Sequence, residues 1–335
     1  MPSSGNSAIS PLDKIRIKNG IEELKSQFNT VLKKSHGEAA NLINDRRLYF
    51  TTLFLLLPEI DNANLYSELA SRNLLAIKVC AIALRDPGLE SRVQPANSDN
   101  EANLKDSLKW ILKTGAANDG LSDDFEQVLD SAAAMLIKKH KDTELMPLIA
   151  EMIFKRNKRG GLIHDLVWAY FQQRDPKSLR TIARFLLSEN TQDVQLAAQL
   201  LHLPQSEGMG RSNDRQRLYN NFLSWLNENE AYMFASRESF QCSSEPNAYE
   251  VDLNAKYLCK RISPLQTGLK EDDLTAGEKK RLDKFRMVRE QDRETLSAFS
   301  NQMYRRNPQS WQRWIERTSD EQIRMAKKSG QGGLA

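Results

Sequence analysis

Residues 122–203 read SDDFEQVLDSAAAMLIKKHKDTELMPLIAEMIFKRNKRGGLIHDLVWAYFQQRDPKSLRTIARFLLSENTQDVQLAAQLLHL. Apolar residues recur through them at helical spacing in five successive blocks. Phe125, Val128, Leu129, Ala132, Leu136 and Ile137 mark the first block; Leu145, Leu148, Ile149, Met152 and Ile153 mark the second. Leu162, Leu166 and Tyr170 mark the third, Leu179, Ile182, Ala183, Leu186 and Leu187 the fourth, and Val194, Ala197, Ala198, Leu200 and Leu201 the fifth. Each block is apolar on one side and charged on the other, so each helix needs neighbours to cover it. The connections are only a few residues long, which makes successive helices antiparallel. The expected fold is all-α, a stacked helical array.

Helix starts in this stretch fall near Ser122, Thr143, Gly161, Asp175 and Thr191. Alternate starts are therefore 39, 32 and 30 residues apart. Two-helix solenoid repeats have periods of about 33 to 47 residues. On that spacing, residues 122–203 resemble a HEAT- or armadillo-like array, and the resemblance implies an extended binding surface that needs no reaction centre. A compact bundle with the same helix count is the alternative.

Toward the N-terminus, Ser10, Pro11 and Asp13 give a helix start: a capping serine, a proline in the first turn and an acid three residues after the cap. Ile17, Ile21, Leu24, Phe28, Val31 and Leu32 form its stripe, with Gly20 inside it and His36-Gly37 at its end. A second helix is expected over 38–57, nearly apolar all round at its end and stopped by Pro58. A further helical stretch runs from Asp61 to about Arg85. Pro87, Gly88, Pro95 and a run of Asn, Ser and Asp make 86–100 a surface loop of low order. A short helix with Leu104, Leu108, Ile111 and Leu112 precedes a break at 115–120. The organisation is a disordered 1–10, an N-terminal helical bundle over 11–115, and a HEAT-like array over 122–229.

Toward the C-terminus, 204–212 is a glycine-containing linker, followed by a helix bearing Leu218, Phe222, Trp225 and Leu226. Helical period is lost over 230–273, where Tyr232, Phe234, Phe240 and Tyr249 are scattered among Ser, Asn and Pro246; this is an irregular, aromatic-rich insertion with room for a short hairpin. Residues 253–262 are a short helix within it. A basic C-terminal helical module follows over 274–328. Thr275 with Glu278, and Ser319 with Gln322, stand at capping-box spacing. Asn307-Pro308 opens the helix carrying Trp311, Trp314 and Ile315, and 329–335 is a frayed tail.

The 335 residues carry 48 Lys+Arg against 44 Asp+Glu, but unevenly. Residues 276–335 hold 14 basic and 8 acidic side chains, net +6, and the remainder holds 34 and 36, net −2. The basic character belongs to the tail, an asymmetry that suits an acidic partner. The longest apolar run, 48–57, is interrupted by Thr51 and Thr52 and falls short of the roughly 20 residues of a membrane span. The polar N-terminus has no apolar signal core, and three cysteines (Cys80, Cys242, Cys259) make no disulfide framework. These features point to a cytoplasmic chain without membrane attachment.

No motif fixes a chemistry. His36, His140, His164 and His202 fall into no metal-binding pattern, and the phosphate-binding, dinucleotide and nucleophile-elbow glycine motifs are absent. His164-Asp165, at a helix start, is a base–carboxylate pair by one reading and a packed helix end by the commoner one. Cys242 and Cys259 would need two further ligands to hold zinc. Gly160-Gly161 and Gly208-x-Gly210 lie where turns need glycine. Paired acids such as Asp123-Asp124 and Asp272-Asp273 suit helix starts or solvent. No catalytic residue, metal ligand or cofactor is signalled.

Two basic clusters stand out. Lys155, Arg156, Lys158 and Arg159 are four cations in five residues at a helix end, more than the helix dipole needs. Arg305, Arg306, Arg313 and Arg317 surround Trp311 and Trp314; Arg and Trp supply hot spots at protein interfaces, and together also suit single-stranded nucleic acid. The bland alternative has the tryptophans anchoring the module, with the arginines on its wet side. The reading that follows is a non-catalytic protein-binding or scaffold protein with an acidic protein partner. A nucleic-acid-binding protein, with weak non-specific binding through these clusters, is the rival. An enzyme without a recognisable motif is the third class.

Overall fold

Ser10 does what its position requires: its hydroxyl accepts the Asp13 N–H at 3.0 Å and opens helix Pro11–Asn19. The computed structural model describes residues 9–93, 101–204, 211–236, 238 and 246–331. Among the described residues, helix accounts for 73%, in 19 α-helices and shorter 3-10 turns, and a two-stranded sheet is the only sheet. The fold is all-α. The chain divides into two compact units, Met1–Gln173 and Arg174–Ala335. The division falls inside the 122–203 stretch.

In the first unit, Gly20 has φ +90° and splits the expected first helix into Pro11–Asn19 and Ile21–Lys34. Asp13 is fully buried and accepts from Ser10 Oγ (2.5 Å), Thr52 Oγ1 (2.6 Å) and Tyr49 N–H (2.9 Å), which ties the first helix to residues 49–52. The helix expected over 38–57 is instead three: His36–Ile43, Phe50–Leu55 and Leu57–Asn62. Ser35 caps the first of these, so His36-Gly37 begins a helix instead of ending one. Asn44 breaks it, because its side chain is engaged elsewhere, donating to Glu68 O (2.8 Å) and accepting from Ala70 N–H (2.7 Å). Pro58 occupies a first-turn position, where a missing N–H costs nothing, and stops no helix.

Helices Ser71–Leu84, Glu101–Gly115 and Asp123–Lys138 carry the core of this unit, with Phe50 stacked on Phe125 at 5.6 Å. The expected loop 86–100 is partly helical: Asp86 caps Pro87–Arg92, and 94–100 lie outside the described residues. Helices Met146–Lys158 and His164–Phe171 complete the unit. Leu129, Leu166 and, in the second unit, Leu186 are buried as their stripes require.

The second unit opens with Asp175, which caps the short run Pro176–Ser178, Leu179–Ala183 and Arg184–Leu187, and Asn190, which caps Thr191–Leu200. Helix Ser212–Asn229 follows. Strands Met233–Ala235 and Tyr249–Val251 then pair antiparallel, Met233 opposite Val251, so the irregular segment does contain a small two-stranded pairing. The short helix there ends at Tyr257, not Ile262. The Thr275/Glu278 capping box forms in full. The later box uses Thr318 and Glu321, one residue before the expected pair; Gln322 is buried and bridges Tyr257 Oη to the Ile315 and Arg317 carbonyls. Tyr257, Phe285, Leu296, Trp314 and Ile315 form the core over which Ala276–Arg286, Glu290–Arg306, Pro308–Ile315 and Ser319–Gln331 pack. Of the expected disordered 1–10, residues 1–8 lie outside the described residues, while Ser10 is buried as a cap. The last helix runs on to Gln331, so 329–331 are helical where fraying was expected, and 332–335 lie outside the described residues, as does most of linker 204–212.

Candidate functional site

The first basic cluster ends helix Met146–Lys158, and the Gly161 N–H closes that end on the Arg156 carbonyl at 2.9 Å. Arg156 is 1% exposed. Its guanidinium meets Asp119 (Nε to Oδ1, 2.9 Å; Nη2 to Oδ1, 2.8 Å), Asp130 (Nη1 to Oδ2, 3.0 Å) and the Leu162 carbonyl (3.3 Å). Burial disfavours the charge, but the bonds from Asp119 and Asp130 outweigh it and hold Arg156 above the usual arginine pKa. Arg159 reaches Asp119 at 3.3 Å and Glu126 at 2.5 Å. Of the four cations, Lys155 and Lys158 are exposed, while the two arginines are neutralised within the unit. Arg156 therefore stands inside the protein, where no partner reaches it.

The second cluster divides the same way. Trp314 is 1% exposed and packs against Tyr257 and Phe299; Trp311 is half-buried and donates its indole N–H to Ser300 Oγ at 2.8 Å. Trp314 is thus core and offers no surface to a partner. The arginines have separate engagements. Arg305 donates to the Asn227 carbonyl (3.0 Å), Arg313 to Ser310 Oγ (3.3 Å), and Arg317 lies 3.8 Å from Glu321. Arg305 and Arg306 share a cleft of about 740 Å³ with Glu228 and Glu294, so its charges balance. Buried Lys256, its pKa lowered by desolvation, donates to Asn229 Oδ1 at 2.7 Å.

A third surface was not singled out by the sequence. Helix Ser212–Asn229 buries Phe222, Leu226 and Asn229 along one stripe. Trp225, one turn on from Phe222 and next to buried Leu226, stands 44% exposed. With Leu218 and Phe222 it walls a groove of about 630 Å³, whose other wall includes Leu201, Met233 and Val251. The Phe222 and Trp225 rings lie 5.7 Å apart. His202, at the rim, donates from Nε2 to the Pro246 carbonyl at 3.1 Å. No local signal in the sequence separates Trp225 from Leu226: adjacent apolar residues of a helix often share one core, as Trp314 and Ile315 do.

Comparison with protein-family models, with curated proteins and with solved structures gives no match.

The remaining candidates carry little chemistry. His164 and Asp165 are 3.3 Å apart and both exposed. Cys259 is half-buried, and burial pushes its thiol up to about 11, away from nucleophilic use. Cys242 and the Gly208-x-Gly210 pair lie outside the described residues. Among the described residues, no cluster of three or more His, Cys, Asp or Glu is placed to hold a metal ion, and no helix is long and apolar enough to cross a membrane.

Proposed function

We propose that the protein is a non-catalytic binding or scaffold protein of helical-repeat type whose partner is another protein. The observation that carries this reading is the Trp225 groove. It is concave and mostly apolar, and an amphipathic aromatic ring stands half-exposed on its wall. Binding sites are typically concave and mostly apolar, and exposed tryptophan is a frequent hot spot of protein interfaces. The HEAT-like reading of 122–203 rests on five consecutive helical segments and on starts at Ser122, Asp175 and Asn190, each fixed by a side-chain cap. The nucleic-acid rival draws less support, because Arg156 and Arg159 already meet carboxylates.

Copurification from the native source tests the reading. Partners should be retained after nuclease treatment and lost with Trp225→Ala. Nuclease-sensitive partners that persist with Trp225→Ala would instead favour nucleic acid.

A further inference from the structure

The stripe of helix Ser212–Asn229 that walls the groove continues beyond it. Arg215, Leu218, Phe222 and Trp225 follow at intervals of three, four and three residues, which places them on one face. Arg211 precedes Arg215 by one turn at the helix start. Along the axis, Leu218 to Trp225 spans about 10 Å and Trp225 to Arg215 about 15 Å at 1.5 Å per residue. Arg217 is paired with Asp214 at 3.0 Å, whereas the Arg211 and Arg215 side chains make no ion pair or hydrogen bond among the described residues. Residues 211–217 thus carry three arginines against one aspartate. Glu250, on the strand wall, is the lone carboxylate lining the groove among the described residues. The groove is therefore mostly apolar, with Arg215 and Arg211 on its helix beyond Leu218, unpaired among the described residues, and one acid, Glu250, on the strand wall.

We infer that this groove takes a linear protein segment, apolar where it lies along Leu218–Trp225 and acidic where it passes Arg215 and Arg211. The inference rests on the protein-binding reading above and adds the partner's chemistry and its direction across the helix. The apolar part supplies most of the affinity by burying Trp225. The acidic end supplies discrimination and register, since complementary charge selects partners more than it tightens binding.

Three fluorescein-labelled 14-residue peptides test this against the full chain by anisotropy at 50 and 200 mM salt. One bears four Leu/Phe residues at helical spacing followed by three Glu; the second ends in three Lys instead; the third keeps the three Glu but has Ser at the apolar positions. The Glu-ended apolar peptide should bind about tenfold tighter than the Lys-ended one, the scale of two partly exposed ion pairs gained against two repulsions. Arg211→Glu with Arg215→Glu should erase or invert that ranking, and the Ser peptide should not bind. Trp225→Ala should weaken both apolar peptides alike, with circular dichroism unchanged. Equal affinity for the Glu- and Lys-ended peptides, both lost with Trp225→Ala, would overturn the acidic specification and leave the protein-binding reading standing. Failure of every peptide would overturn the inference. The broader reading would fall with it if Trp225→Ala also left the copurifying partners unchanged.

Discussion

Position 156 shows how a residue's surroundings decide its role. The Arg156 guanidinium gathers Asp119, Asp130 and the Leu162 carbonyl, so it ties the turn before helix Asp123–Lys138, that helix, and the turn after its own helix together. Removing it leaves Asp119, whose side chain is 0% exposed, with only Arg159 to compensate it. Breaking a buried pair in this way costs about 3–5 kcal/mol. Arg156→Ala should therefore lower the urea midpoint strongly, while Lys155→Ala stays within about 0.5 kcal/mol of the parent. Equal effects would contradict the burial of Arg156. Asp130 makes a second, pH-dependent test. Burial pushes its carboxyl from 3.8 up to about 6, against the pull of Arg156. The folded chain thus holds this proton more tightly than the unfolded chain, so the contribution is present below pH 3.8 and lost as pH rises through 6. Relative to Asp130→Asn, the parent should gain stability as pH falls from about 7 to 4. Parallel pH–stability profiles would count against it. None of this was legible locally. The sequence shows four cations in five residues, but the acids that neutralise two of them lie 26 to 40 residues earlier.

Individual elements were legible where their determinants are local. The caps at Ser10, Ser122, Asp175 and Thr275 each operate over two or three residues, and each formed as the sequence indicated. Breaks set by distant partners were not. Asn44 ends a helix because of bonds to Glu68 and Ala70, more than twenty residues on, and nothing near position 44 announces them. Phe54 lies in the apolar run 48–57, for which a core position is the natural expectation, yet it is only partly buried and rests edge-on against Phe125 at 5.0 Å. Close helix crossings are equally hidden. Gly115 ends helix Glu101–Gly115 where a Cβ would meet Leu129 Cδ2 at 2.8 Å, with the Phe125 and Phe50 rings at 3.4 Å. Leu129, Phe125 and Phe50 are all fully buried, which leaves them little room to yield. Gly115→Ala should therefore destabilise by about 1–3 kcal/mol through overpacking, even though alanine is the better helix former. A stability gain in thermal unfolding would show that the crossing is looser than the structure has it.

At the scale of the molecule, the helical stripes carried the fold class because period and burial are properties of each helix alone. They could not carry the division at Gln173 and Arg174, which depends on which helices pack together. Nor could they carry the groove, whose walls come from segments near 201, 218–225, 233 and 251. The C-terminal tryptophans mark the same boundary of inference. Arginine interleaved with tryptophan suited an interface, but Trp314 is needed for the core it shares with Tyr257 and Phe285. Trp314→Ala should cost about 3–5 kcal/mol of stability, as seen in thermal unfolding. Trp225→Ala should leave the melting temperature nearly unchanged, since its ring is already 44% exposed. The two residues thus separate folding from binding. The most direct measurement is the affinity of the purified native partner for the parent chain and for Trp225→Ala, by isothermal titration calorimetry. A loss of about 2 kcal/mol or more, roughly thirtyfold in Kd, with an unaltered circular dichroism spectrum, is the expected result. Equal affinities would mean that the groove is not where the partner binds.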